Sequence, residues 1–304
     1  MSLVTAVITT HKREPKIVER ALKSILNQTH KDLEIIVVDD SPVTYELRDA
    51  VKGMVESYAD KGVKYIQHET CKGACAARNT GLSNAKGEFI GFLDDDDEWL
   101  PEKIEKQLTG FVNENVALVY CGRETFYSKS NTVTKQTVEF HKGKVFDKLI
   151  FSNFIGSTSF PLLRKDFLNS INGFDVLMQS AQDYDVWLRL AEKYEINYVT
   201  DVLVRYYVHE SEQISKSSKK RIAGLERLNE KNIEYLRKHR KAYWFRTIKL
   251  APIYALDGNA KKAKKTWLKA SKIKPFYIIE NLRYLKRTLS YIKEQKIEHN
   301  NKFD

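Results

Sequence analysis

Four consecutive aspartates, Asp94 to Asp97, follow directly on an apolar run from Glu88 to Leu93. The run has the aromatic and branched content of a short buried strand, so the carboxylates stand where that strand leaves the core. Adjacent negative charges repel one another, and hard divalent ions such as Mg²⁺ and Mn²⁺ prefer oxygen ligands. Because alternate residues of an extended chain share a face, Asp94 and Asp96 can point the same way. The stretch predicts a metal site, with a solvated acidic turn as the alternative.

The segments that must position these carboxylates alternate between strand and helix. Near-continuous apolar runs predict buried strands at residues 3–10, 33–38, 63–66 and 88–93, and a further strand is expected within residues 153–163. Apolar residues at helical spacing predict intervening helices at residues 16–28, 45–60 and 73–85. This order is typical of a parallel α/β sheet covered by helices on both faces, in which ligands bind beyond the carboxyl ends of the strands. Three polar strand ends meet there: Thr9-Thr10, Asp39-Asp40 and Asp94 to Asp97.

Length and composition indicate a globular enzyme-sized chain. Its 304 residues are 42% hydrophobic, which suffices for a substantial core. No window approaches the ~18 uninterrupted apolar residues of a membrane-spanning helix. The first residues lack the features of a signal peptide, so we expect a cytoplasmic protein. The three cysteines are too few for a disulfide framework and are expected to be ordinary thiols.

Several motifs in the first 215 residues carry a specific resemblance. The segments VITTHKRE, SILNQTHKDLEIIVVDDSP and KGACAARNTGLSNAKGEFIGFLDDDDEWLPEKIE follow one another in order, and QDYDVWLRL comes later. Together they resemble the family 2 glycosyltransferases, which are inverting, sugar-nucleotide-dependent enzymes of the Rossmann-like GT-A fold. The order and spacing of four motifs are more specific than any single motif. The resemblance implies a GT-A catalytic domain over residues 1–215.

The resemblance also implies which residues hold the donor. In the family, the end of the first strand and the aspartate of the VDD segment hold the nucleobase and ribose, which implies Thr9 and Asp39 here. Arg78 resembles an arginine that faces the nucleotide or its diphosphate, and the planar fork of a guanidinium suits phosphate oxygens. A surface salt bridge is the alternative for Arg78. For Asp40, a turn role and a ligand role are both open.

The acidic run matches the family's Asp-x-Asp motif at Asp94 and Asp96. The match implies that Asp96 ligates the metal and that Asp94 contacts the ribose or the metal. Asp95 takes the variable middle place and is assigned to nucleotide-sugar binding. Asp97 is expected to cap the next helix, because Pro101 and an apolar periodicity follow it. The implied cofactor is Mn²⁺ or Mg²⁺, which would neutralise charge on the leaving diphosphate.

A second motif supplies the implied catalytic base. The family pattern places Glu-Asp ahead of a DxWLRL helix, and its aspartate is the base, which implies Asp183 here. Gln182 replaces the usual glutamate. An inverting transfer needs one carboxylate to take the proton of the acceptor hydroxyl, although a helix N-cap is the alternative for Asp183. The segment 202–211 resembles the family's closing strand, which makes His209 a candidate for phosphate or metal contact.

Residues 216–304 form a separate region of strong positive charge. From Ser215 onward there are 25 Lys and Arg against 8 Asp and Glu, so the rest of the chain is mildly acidic although the whole carries +11. The region is expected to be helical, and residues 254–275 are similar to the second half of a tetratricopeptide repeat. Basic residues between aromatic ones suit an anionic membrane surface. We therefore expect possible peripheral binding at the inner face of the cell membrane.

The leading hypothesis is an inverting glycosyltransferase of surface polysaccharide or glycolipid synthesis. Its expected partners are a nucleoside-diphosphate sugar, with a UDP-sugar favoured, and a saccharide or lipid-linked acceptor. A nucleotidyltransferase would need a glycine-rich basic loop after the first strand, and VITTHKRE lacks one. The remaining alternative is a nucleotide- or nucleic-acid-binding protein on a degenerate GT-A scaffold. Intact Asp94, Asp96 and Asp183 argue against degeneracy, and no nucleic-acid partner is expected.

Overall fold

A computed structural model describes residues 2–135, 138–208 and 217–300, with side chains to residue 295. The chain divides into two compact units. We call residues 1–176 with 183–210 the sheet unit, and residues 177–182 with 211–304 the helical unit.

The sheet unit is built on nine described strands. They are β1 Val4–Thr10, β2 Leu33–Asp39, β3 Val63–Gln67, β4 Phe89–Asp94, β5 Glu98–Trp99, β6 Val116–Tyr127, β7 Thr132–Lys135, β8 Leu162–Arg164 and β9 Glu195–Val208. Their order is β3-β2-β1-β4-β8-β6-β9-β5, with β7 paired to β6. Strands β1 to β4 are parallel, β8 is antiparallel to both neighbours, and β6 and β9 are again parallel. The predicted α/β sheet is confirmed.

The register of the parallel strands brings the predicted site residues to one edge. Thr9 lies opposite Asp94 across the β1–β4 pair, and Thr10 lies opposite Asp39 across the β1–β2 pair. The apolar residues behind them are fully buried, which is why these strands read as continuous apolar runs. The polar ends therefore converge at the carboxyl edge of the sheet.

The helices of the sheet unit follow the predicted alternation. They are α1 Pro15–Leu26, α2 Arg48–Glu56, α3 Ala74–Asn84, α4 Lys103–Leu108, α5 Phe146–Leu149, α6 Lys165–Ser170 and α7 Gln182–Lys193, which begins at the unit boundary. Helix α1 buries Val18, Leu22 and Ile25 at helical spacing in the main core. Helix α3 packs closely on β1, since a Cβ at Gly81 would stand 2.4 Å from Val7 Cγ1. This close approach carries Arg78 to the carboxyl edge.

Two predicted elements are shorter than expected. The helix predicted over 45–60 covers only Arg48–Glu56, followed by a short 3₁₀ turn at Ala59–Lys61. The strand predicted within 153–163 is reduced to β8, and residues 153–159 form a loop. That loop holds the site carboxylates through its side chains, which explains why it does not pair as a strand.

The helical unit contains the basic C-terminal region. Its helices are α8 Ser218–Lys231, α9 Ile233–Lys238, α10 Arg240–Ile248, α11 Leu250–Leu256, α12 Ala260–Ile273 and α13 Ile278–Asn300. Helices α11 and α12 are joined through Gly258, whose φ of +79° favours glycine. Helices α11 and α12 thus follow one another across a tight turn, and the tetratricopeptide-like hairpin stays a prediction. In the described ranges, no helix is both long enough and apolar enough to span a bilayer.

Candidate active site

Asp94 ends β4, and its carboxylate accepts hydrogen bonds from three side chains. Its carboxylate accepts from Arg78 Nη2 at 2.7 Å, Ser157 Oγ at 3.0 Å and Thr158 Oγ1 at 3.1 Å. Burial alone would raise the pKa of Asp94, but Arg78 and the two hydroxyls outweigh it and hold that pKa below its ordinary value. Asp94 is therefore ionised, and Arg78 is its ion-pair partner at the strand end.

Arg13 is a site residue that the sequence reasoning missed. From the loop after β1 its Nε donates to Asp95 Oδ1 at 3.0 Å, and its Nη2 donates to Asp96 Oδ2 at 2.8 Å. Thr10 Oγ1 also donates to Asp95, at 2.7 Å. Burial raises the pKa of Asp95 to about 6, with Arg13 opposing the change and Asp96 adding to it. The available signal for this contact was the basic end of VITTHKRE, because it follows β1 and β1 lies beside β4, the strand that ends in the aspartates.

Asp97 does not cap a helix, so that prediction is wrong. Helix α4 begins at Lys103 with Glu102 as its N-cap residue. Asp97 is fully buried, where it accepts hydrogen bonds from Ser159 Oγ at 2.6 Å and from the backbone N–H of Tyr207 at 3.2 Å. Burial and the nearby Asp94 and Asp96 raise its pKa well above the ordinary value. Asp97 thus stabilises the turn Asp94–Asp97, which we call the acidic turn, from the core side.

Asp39 lies at the end of β2 with its carboxylate buried. Oδ1 accepts from the backbone N–H of Ser41 at 2.8 Å, and Oδ2 accepts from the hydroxyl of Tyr65 at 2.8 Å. Thr9 is partly exposed on the neighbouring strand end. Both residues therefore stand at the carboxyl edge, with Asp39 fixed in orientation by its two donors.

Of the two alternatives for Asp40, a turn role and a ligand role, its contacts favour the turn role. Its carboxylate accepts from His68 Nδ1 and from the backbone N–H groups of Lys72 and Gly73, each at 2.7 Å. These donors hold its pKa below the ordinary value against the effect of burial. His11, Asp40 and Cys71 also bring ligand-type atoms within 4.8 Å of one another. Since the Asp40 oxygens already bind the start of α3, we assign this cluster to the loop.

Asp183 lies in the first turn of α7 and is half-buried. Asn153 Nδ2 donates to its Oδ2 at 3.2 Å. Burial raises the pKa of Asp183 to about 6; Arg78 opposes this change and Asp94 reinforces it. Asp183 therefore interacts electrostatically with both members of the Arg78–Asp94 pair. A carboxylate with this pKa is suited to take a proton near neutral pH.

One loop, Asn153–Ser159, holds both the acidic turn and Asp183. Asn153 contacts Asp183, Ser157 and Thr158 contact Asp94, and Ser159 contacts Asp97. We call it the bridging loop. Its turn depends on Gly156, which has φ +92° and accepts a hydrogen bond from Trp187 Nε1 on α7 at 2.9 Å. No local signal in the sequence indicates that this segment contacts both Asp94 and Asp183.

The carboxylate set fits a hard divalent cation. Asp95 and Asp97 are buried, and the Asp94 side chain is 29% exposed. Burial, together with the neighbouring carboxylates, raises the pKa values of Asp95 and Asp97, so part of that increase reflects a local excess of negative charge. A cation that prefers oxygen ligands would relieve that excess. The Asp96 side chain is 21% exposed and reaches the surface of the turn, where Arg13 now pairs with it. His209, the other predicted metal ligand, lies outside the described residues.

A sheet with carboxylates at its carboxyl edge and a half-buried aspartate nearby defines an α/β enzyme site. Residues 5–171 match the model of Glycosyl transferase family 2, and the chain belongs to this family. It is therefore a glycosyltransferase, and the predicted GT-A type of fold is confirmed. Members of the family generally use a divalent metal.

Relatives of this chain include bacterial enzymes of polysaccharide synthesis. It is 29% identical over 195 residues to UDP-Glc:alpha-D-GlcNAc-diphosphoundecaprenol beta-1,3-glucosyltransferase WfgD of Escherichia coli, a match covering 64% of this chain and 72% of WfgD. It is 28% identical over 254 residues to the putative colanic acid biosynthesis glycosyl transferase WcaA of E. coli K12, covering 79% and 82%.

Solved structures show the same fold. The crystal structure of S. aureus TarS 1-349 in complex with UDP-GlcNAc superimposes with a TM-score of 0.67 at 16% identity, covering 97% of this chain and 92% of that one. A longer TarS crystal structure gives a TM-score of 0.65 at the same identity. The present chain spans 54% of that longer chain.

Proposed function

We propose that this glycosyltransferase moves a sugar from a nucleoside-diphosphate sugar, with a UDP-sugar favoured, to an acceptor hydroxyl with inversion at the anomeric carbon. The observation that carries the proposal is the placement of Asp183. It is half-buried, oriented by Asn153, and electrostatically close to the Arg78–Asp94 pair. A base in that position takes the proton of the acceptor hydroxyl as its oxygen bonds to the anomeric carbon, while the nucleoside diphosphate leaves from the opposite face of the sugar.

The donor is held along the carboxyl edge of the sheet. Thr9 and Asp39 meet the nucleobase and ribose, and the buried Asp39 carboxylate can accept an N–H of the base. Arg78 presents a guanidinium to the diphosphate from α3, where its planar donors match phosphate oxygens. The relatives support this assignment, since WfgD is named for a UDP-sugar donor and TarS was crystallised with UDP-GlcNAc.

The acidic turn serves the leaving group. Asp96 is the proposed metal ligand, with Asp94 beside it and Asp95 on the nucleotide-sugar side. Held there, Mn²⁺ or Mg²⁺ would supply the positive charge that stabilises the leaving diphosphate. Ser157 and Thr158 keep the Asp94 carboxylate ionised and fixed, so that the turn does not have to reorganise during the reaction.

The acceptor is proposed to be a growing surface saccharide or a lipid-linked sugar. WcaA and WfgD, both named for reactions of this kind, support that class. The acceptor hydroxyl must approach Asp183, so the residues near the bridging loop and the start of α7 are those that select it.

A transfer assay with the purified full-length chain tests the proposal. UDP-, GDP- and dTDP-sugars are screened with Mn²⁺ by thermal shift, because a ligand of the folded state raises the melting temperature. The donor that stabilises is then assayed for release of its nucleoside diphosphate in the presence of lipid-linked and soluble saccharide acceptors. We expect Asp183→Asn to bind that donor as the wild type does and to lose at least about 10³-fold in kcat.

The matched control is Asp166→Asn, an equal change at an exposed position of α6. It should leave kcat unchanged. Turnover retained by Asp183→Asn would assign the base to another group. Donor binding by the wild type without transfer to any acceptor would instead favour the nucleotide-binding alternative on a degenerate scaffold.

A further inference from the structure

The helical unit contains a cavity of about 470 Å³ that is lined mainly by cations. Its lining residues are Arg237, Arg240, Tyr243, Lys269, Lys272 and Ile273. They come from the last turn of α9, the first turn of α10 and the last turns of α12. Arg240 Nη2 donates to the carbonyl of Ile273 at 2.9 Å, and the Lys269 ammonium lies 5.3 Å from the Tyr243 ring centroid. The two walls are therefore joined across the cavity, which we call the basic cavity.

Among the described residues, no carboxylate balances the charge of the basic cavity. Within the described part of the chain, none of its four cations lies within 4.0 Å of a carboxylate, and no acidic residue lines it. Helix C-termini favour nearby cations, which accounts for single lysines or arginines in the last turns of α9 and α12. It does not account for four that face one space, because like charges repel. A bound anion would remove that repulsion, and phosphate is the anion that Arg and Lys clusters bind best.

An exposed apolar segment begins three residues after the cavity lining ends. Phe276 is 91% exposed, and Ile278, Ile279 and Leu282 are 61%, 72% and 55% exposed. They form the turn between α12 and α13 and the first turns of α13. Contiguous exposed apolar side chains of this size indicate a binding surface. We call these four residues the apolar turn.

We propose that the basic cavity binds the phosphate of an anionic membrane lipid while the apolar turn enters the acyl boundary of the bilayer. The basic cavity is complementary to the charged headgroup of such a lipid, and the apolar turn is complementary to its acyl chains. A soluble phosphorylated ligand would use the cavity and leave the apolar turn without a role. The proposal thus names specific residues for the membrane contact that the basic C-terminal region predicts.

Vesicle binding by the full-length chain tests the proposal, independently of sugar transfer. Vesicles of phosphatidylcholine alone are compared with vesicles containing phosphatidylglycerol in co-sedimentation. We expect binding only to the anionic vesicles. The double variant Lys269→Gln/Lys272→Gln should bind about 30-fold more weakly, at about 1 kcal/mol for each basic residue near the surface. The control pair Lys219→Gln/Lys264→Gln removes the same charge from residues outside the cavity and should lose less than about 3-fold.

The apolar turn is tested by Phe276→Ser/Ile279→Ser, which keeps the net charge. We expect at least about a 10-fold loss of vesicle binding, because both side chains leave water only in the bilayer. Equal losses for the two lysine pairs would overturn the cavity site in favour of general charge attraction. Pyrophosphate that stabilises the wild type but not the cavity variant, with vesicle binding unaffected by the turn variant, would overturn the lipid assignment in favour of a soluble phosphate ligand.

Discussion

Replacing Asn153 by aspartate should move the pH dependence of transfer without removing any proposed catalytic group. Asn153 Nδ2 donates to Asp183 Oδ2 at 3.2 Å, and Asn153 Oδ1 accepts from the backbone N–H of Gly156 at 2.9 Å. Asn153→Asp keeps the second interaction and the shape of the side chain. It replaces the first with a negative charge facing the proposed base, so the ionised form of Asp183 is disfavoured.

The size of the shift follows from the distance. Two unit charges about 4 Å apart repel by about 1 kcal/mol in water and by more inside a protein, and about 1.4 kcal/mol equals one pKa unit. Losing the Asn153 hydrogen bond acts in the same direction, because that bond favours the ionised carboxylate. From a pKa of about 6, Asp183 should therefore move to a pKa of about 7 or higher.

The assay is kcat/KM measured from pH 5 to pH 9 at saturating metal. Since the base must be ionised, activity falls below its pKa, so the acid limb should shift upward by about one pH unit. At pH 6 the variant should then be about fivefold slower than the wild type, and at pH 9 the two should converge. The control variant Asn27→Asp adds the same charge at an exposed position, and its acid limb should lie at the same pH as that of the wild type.

This design also separates Asp183 from Asp95, because burial gives both carboxyl groups a pKa of about 6. A wild-type profile alone would not distinguish them. Asn153 touches only Asp183 of the two, so an acid limb that stays at the same pH in Asn153→Asp would refute the assignment of Asp183 as the base. A uniform loss of activity at every pH would refute the electrostatic reasoning.

Two further substitutions test the interior of the sheet unit. Arg13→Gln removes the guanidinium that pairs with Asp95 and Asp96, so calorimetry should find Mn²⁺ binding about tenfold tighter, as expected for one lost competing ion pair of about 1.5 kcal/mol; weaker binding would contradict the competition. Lys103 is fully buried against Trp99, and burial lowers its pKa to about 8. Because the pKa of Lys103 is lower in the folded state than in the unfolded state, burying its charge destabilises the fold. This destabilisation is complete below pH 8 and disappears as the pH rises toward 10.5. Lys103→Met should therefore raise the free energy of unfolding by about 1–2 kcal/mol at pH 7 and by little near pH 10, measured by urea denaturation; equal gains at both pH values would contradict this.

The strands and the acidic turn were predictable because their signals are local. A run of buried apolar residues ends at the point where Asp94 begins, and a parallel sheet brings that end beside Thr9 and Asp39. The pairing of Arg13 with Asp95 joins residues 82 positions apart and depends on which strands become neighbours. Apolar periodicity predicts a helix or a strand, but it does not predict which distant side chains will contact one another.

The prediction for Asp97 failed for a related reason. An acidic residue before a proline and an apolar periodicity is a valid local signal for a helix cap. Here tertiary contacts outweigh it, because Ser159 and the backbone of Tyr207 reach Asp97 from distant parts of the chain. The hydroxyl-rich loop that supplies Ser159 comes just before β8, and only its hydrogen bonds reveal its role.

The bridging loop has a consequence for how this enzyme can change in evolution. Asn153 donates to Asp183, the proposed base, and five residues later Thr158 donates to Asp94, a carboxylate of the proposed donor site. An insertion or backbone shift within the loop therefore alters both halves of the reaction together. Paired substitutions at Asn153 and Thr158 should be non-additive in their effect on kcat, because they share one backbone. New acceptor preferences are thus more accessible through other surfaces near α7 than through this loop.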